Sequence, residues 1–104
     1  MKAIVATGKP VVLVLINGSA LSINYANENV NGILTAGYPG EQGGNAIADV
    51  LFGDYNPAGR LPVTYYKSTD QLPDFDDYIM EGRTYKYFEG DPLYTFGHGK
   101  LYSL

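Results

Sequence analysis

The chain has no cysteine and no tryptophan, a single histidine, and seven lysines and arginines against eleven aspartates and glutamates. The missing thiols exclude disulfides and thiolate metal sites. The few cations are not clustered. That argues against nucleic acid and against an anionic membrane surface as partners, since both need concentrated positive charge. The longest apolar run is the six residues 11–16, whereas a membrane-spanning helix needs about 20. No signal-peptide segment follows Met1 and Lys2.

What is present is a chain of 104 residues, 45% hydrophobic, which is the length and composition of one packed domain covering 1–104. Eight of the ten tyrosines lie in its second half, together with six of the thirteen glycines. Such a composition predicts a loop-rich C-terminal half held by aromatic packing.

Residues 11–16 are apolar at every position and mostly β-branched. A run without alternation predicts a strand covered on both faces, as in a parallel sheet. Residues 23–30 read as a short helix or turn, and 33–36 as a second buried strand. A glycine turn follows, and from Glu41 to Phe52 the period becomes helical, with Ile47, Val50 and Leu51 on one face. Glu41 is expected in the first turn and Gly53 at the stop. Gly43 and Gly44 suggest close packing against that first turn. Residues 61–66 suit an edge strand, because Pro62 lacks a donor. The alternation in 83–88 predicts another short strand. The order strand, connection, strand, glycine turn, helix gives an α/β fold with mostly parallel strands.

Four of these segments resemble glycoside hydrolase family 3, the β-glucosidase and β-xylosidase family, in its C-terminal domain. The first is Gly37-Tyr38-Pro39-Gly40-Glu41-Gln42-Gly43-Gly44, running on through Asn45 to Asp54. Asn56-Pro57-Ala58-Gly59-Arg60-Leu61-Pro62-Val63-Thr64 is similar to its continuation. Arg83-Thr84-Tyr85-Lys86-Tyr87-Phe88 resembles the stretch before the family's closing motif, in a xylosidase-like form. Pro92-Leu93-Tyr94-Thr95-Phe96-Gly97-His98-Gly99 is similar to that motif itself. The pattern departs at Gly99-Lys100-Leu101-Tyr102-Ser103-Leu104, where a truncation or a junction with foreign sequence is expected.

The resemblance implies a partial α/β/α sandwich, the later part of a C-terminal domain whose (β/α)₈ barrel partner lies elsewhere. It implies a parent enzyme that cleaves β-linked saccharides with retention. Family members are often periplasmic or secreted. The family's nucleophile is a barrel Asp and its acid/base a Glu placed before the segment matching Gly8 onward, so no catalytic residue carries over to this chain. The chain alone is expected to be inactive and to self-associate through faces its missing half would cover.

Two residues remain as substrate-binding candidates. Glu41 lies on a strand-to-helix glycine turn, where open α/β sheets place ligands; its blander role is to support the helix start. Tyr38 presents an aromatic ring on which a sugar face could stack, or packs beside its turn. His98 lacks companions for catalysis and is read as packing. Asp74, Asp76 and Asp77 lack the glycine and distal Glu of a calcium loop, so they read as a solvated loop. Arg83 is expected to pair with a carboxylate. No metal site and no cofactor is predicted.

A small nucleotide- or phosphate-binding module is a competing reading, because helix N-termini hold anions. Against it, Tyr38 and Pro39 separate Gly37 from Gly40, no G-x-G-x-x-G occurs, and no Lys-Ser or Lys-Thr follows the loop. A non-catalytic α/β binding or interaction module is the other alternative.

Overall fold

A computed structural model describes residues 1–99; the atypical end, residues 100–104, lies outside the described residues. The elements run α1 (Lys2–Val5), β1 (Val12–Leu15), α2 (Asn24–Asn29), β2 (Gly32–Thr35), α3 (Gly43–Phe52), a 3₁₀ turn (Thr69–Gln71) and α4 (Thr84–Tyr87). None of these helices is long and apolar enough to cross a membrane. The chain divides into two compact units. One holds Met1–Ser19 and Ile23–Tyr55; the other holds Ala20–Ser22 and the chain from Asn56 on.

The first unit is built on a parallel ladder in which Val12 pairs with Gly32 and Leu15 with Thr35. Parallel strands cannot be joined by a tight turn, and the crossover here carries α2. Asn31 fixes the start of the ladder twice. Its side-chain Oδ1 accepts from the Val11 amide at 2.8 Å, and its own amide donates to the Val11 carbonyl at 2.8 Å. The ladder closes with the Ala36 amide on the Leu15 carbonyl at 2.8 Å. The α/β class is therefore present, in the form of a two-stranded sheet.

The expected two-sided burial of 11–16 is not met within this chain. Leu13, Val14 and Leu15 are half-buried, while Val12 and Ile16 are 51% and 61% exposed. Two strands and short helices supply too little surface to cover both faces of so apolar a run. Ala26 in α2 is the fully buried hydrophobic residue of this unit.

Helix α3 starts two residues later than its periodicity suggests. Gln42 is its N-cap residue, so Glu41 stands outside the first turn. Buried Gly43 with half-buried Ile47 and Val50 forms the inward stripe; Leu51 turns out to be exposed. Gly53 ends the helix in the left-handed region at φ 85°, a conformation that glycine adopts without Cβ strain. The close packing expected at the first turn exists at Gly43, where a Cβ would lie 2.6 Å from Pro39 Cγ, and not at Gly44, which has open space.

The second unit has little regular structure. The expected edge strand at 61–66 reduces to one antiparallel bridge, Tyr65 to Tyr94. Tyr65 is 3% exposed and is the unit's buried hydrophobic centre. Its amide donates to the Tyr94 carbonyl at 2.9 Å, and the Leu93 amide returns to the Tyr65 carbonyl at 2.8 Å. Rings do the remaining packing: Tyr65 with Tyr94, Tyr66 edge-on to Phe88, and Tyr85 stacked on Phe96. The strand predicted at 83–88 is instead the single turn α4. Thr84 enters it at φ 58°, which breaks the extended run, and the Phe88 amide closes the turn on the Thr84 carbonyl at 3.1 Å.

Candidate functional site

The loops after β1 and β2 leave the same end of the parallel pair. Because Leu15 sits opposite Thr35, the residues three further along each chain, Gly18 and Tyr38, are brought side by side. A Cβ on Gly18 would lie 2.6 Å from Tyr38 Cε2 and 2.7 Å from its hydroxyl. The bare glycine is thus the seat of the tyrosine ring. The rest of Tyr38 faces outward, 82% exposed. Gly37 and Gly40 flank it at φ 62° and 71°, values open to glycine and costly for other residues. They turn the chain sharply out of the strand and into α3.

Glu41 lies on the exposed turn that follows, and its side chain makes no hydrogen bond or ion pair among the described residues. Glu41 stands one residue before the N-cap, Gln42, whose Oε1 accepts from Asn45 Nδ2 at 2.8 Å. Tyr38 and Glu41 therefore project from one short loop at the carboxyl end of a parallel strand pair. In open α/β sheets that end is where ligands bind. The signal for Gly18 was present in the sequence as its equal offset from the strand end, but it required the register to be known.

In the second unit, the His98 ring stacks on Tyr94 with centroids 4.8 Å apart. Burial raises the Tyr94 phenol above its ordinary value of 10.0. Arg83 does not form the carboxylate pair expected of it. Its Nε and Nη2 are buried without a protein partner, and the ion pair among the described residues joins Lys67 to Asp91 instead. The acid nearest Arg83 in sequence, Glu81, is exposed. An open hollow of about 80 Å³ beside Leu21, Tyr66 and Leu72 is well below the roughly 300 Å³ at which ligand sites begin.

Every aspartate and glutamate side chain is exposed except Asp77, which is half-buried. No group of three or more His, Asp or Glu side chains that could hold a metal gathers among the described residues.

The profile described as "Glycosyl hydrolase family 3 C-terminal domain" matches residues 1–102. The chain is 52% identical over 103 residues to a xylan 1,4-beta-xylosidase of Xylanibacter ruminicola, covering 99% of this chain and 12% of that protein. It is 48% identical to a probable beta-D-xylosidase 7 of Arabidopsis thaliana, with 94% and 14% covered. It is 43% identical to a periplasmic beta-glucosidase of Salmonella typhimurium, with 97% and 15% covered. The chain thus spans about an eighth of the length of the curated relatives it matches.

Proposed function

Since the chain belongs to glycoside hydrolase family 3, as a C-terminal-domain segment, we propose that it is the ligand-facing wall of a larger β-glycosidase acting on β-xylosides or β-glucosides. The observation that carries the reading is the 52% identity to a xylan 1,4-beta-xylosidase across nearly the whole chain. In this reading the β1–β2 pair is one part of a wider, mostly parallel sheet in an α/β/α sandwich, and 1–104 is a single stretch of that domain. Further strands and helices cover the apolar faces left open at Val12 and Ile16.

The parent hydrolyses with retention, which needs two carboxyl groups about 5–5.5 Å apart. One must hold its proton near neutral pH, and that takes burial or a neighbouring charge. The family resemblance puts both catalytic groups in the rest of the polypeptide, and no carboxyl group among the described residues of this chain is fully buried within it. This chain's contribution is to bind. The outward face of Tyr38 stacks on the apolar face of a pyranose, with its edge held at Gly18, and Glu41 accepts hydrogen bonds from sugar hydroxyls.

The test is to exchange this chain for the matching segment of the Xylanibacter ruminicola relative and assay nitrophenyl β-xyloside and β-glucoside. The exchanged enzyme is expected to turn over at least one of them, whereas the isolated chain does not. In that enzyme Tyr38→Ala raises KM and leaves kcat nearly unchanged, the mark of lost uniform binding. Hydrolysis by the isolated chain, or an inactive exchange, overturns the reading.

A further inference from the structure

The three most exposed large apolar side chains of the second unit lie in one loop, with Met80 beside them. Phe75 is 93% exposed, Tyr78 85%, Ile79 65% and Met80 54%. Four such residues in six positions are a concentration of exposed apolar side chains of the kind soluble proteins rarely leave bare. The loop is not a loose tail. The Asp77 amide closes on the Asp74 carbonyl at 3.0 Å, the Ile79 amide on Asp77 Oδ1 at 2.9 Å, and the Arg83 amide on the Met80 carbonyl at 3.1 Å, with Gly82 at φ 72°. These bonds shape the backbone in advance and hold the side chains outward, which lowers the ordering cost of docking. Asp70, Asp74, Asp76, Asp77 and Glu81 flank or interleave them in the sequence, and no lysine or arginine occurs between Lys67 and Arg83.

We propose that this acid-rimmed loop is a docking arm that inserts Phe75 and Tyr78 into an apolar groove rimmed by lysine or arginine, on the part of the same polypeptide outside this chain. The occupant follows from two facts: the relatives are about eight times longer than the matched segment, and the rim carries one sign of charge, which selects a basic partner. The proposal rests on the reading of the chain as part of a larger hydrolase, and it adds the surface by which the rest is held.

Hydroxyl-radical footprinting of the exchanged Xylanibacter ruminicola enzyme tests it without reference to activity. Labelling of Phe75, Tyr78 and Met80 is expected to fall at least about fivefold below that of a free peptide of residues 72–83, as for the covered core of an interface. Asp76→Lys in the same enzyme should raise labelling of Phe75 toward the peptide value. Labelling at the peptide rate overturns the proposal. So does protection that disappears on dilution, which would assign the arm to a second copy, or protection that needs added xylose, which would assign it to the sugar. A protected arm in an inactive enzyme sinks the proposed function alone; an exposed arm in an active enzyme sinks the docking alone.

Discussion

The two compact units solve the same problem in different ways. The first spends its apolar residues on a hydrogen-bonded ladder and one ten-residue helix. Among its described residues the second has a single bridge, a 3₁₀ turn and a four-residue helix, and relies on rings meeting around Tyr65. Backbone periodicity organises the one, and a few large side chains organise the other. Damage should therefore spread differently: a lost ring in the second unit removes a centre, whereas a lost methyl in the first removes one rung among several.

The largest expected effect follows from Tyr65→Ala. Losing a buried aromatic costs about 3–5 kcal/mol. In hydrogen exchange, the amides of Leu61, Tyr65, Leu93 and Gly97 should lose protection while those of the β1–β2 ladder keep theirs. Simultaneous loss in both units would break the comparison. Next comes Gly43→Ala, whose Cβ meets the Pro39 ring; overpacking of this kind costs about 1–3 kcal/mol. Gly44→Ala, with open space, should instead stabilise by up to about 1 kcal/mol. Denaturant midpoints of the two variants should thus move in opposite directions. Thr84→Gly should raise stability by about 1 kcal/mol, because a β-branched residue at φ 58° is strained; an unchanged midpoint would mean its side chain compensates.

Tyr94 gives a smaller, pH-dependent effect. Its folded pKa lies above 10.0 because burial disfavours the phenolate. The contribution is complete below pH 10 and is lost as pH rises from there through the folded value. Tyr94→Phe should flatten that alkaline decline in a pH series of unfolding midpoints. The smallest change is expected from Asp91→Asn. It removes an exposed ion pair with Lys67, and such pairs contribute less than about 1 kcal/mol.

Much of the first unit was legible in the sequence because its signals are local and redundant. The apolar run, the breakers beside it and Gly53 at the helix end each mark a boundary unaided. In the second unit, alternation over six residues predicts a strand at 83–88, and a single helical turn stands there because Thr84 adopts a left-handed conformation that no propensity favours. The carboxylate pair expected of Arg83 is absent for a related reason: a cation's partner is chosen by tertiary placement, and none of its neighbours in sequence serves. Tyr38 and Glu41 share one loop, as their closeness in sequence requires, yet the seat at Gly18 lies hidden in the pairing of residues twenty positions apart.

That separation also bears on how the chain acquires its shape. No ladder bond between β1 and β2 can form until about twenty intervening residues have closed into a loop. The entropic cost of that closure comes before any reward from pairing. During synthesis, residues 12–15 must wait, apolar and unpaired, until residues 32–35 emerge. The clamp of Asn31 on Val11 stands at the first rung of the ladder, and so is well placed to be the contact from which the two strands zip.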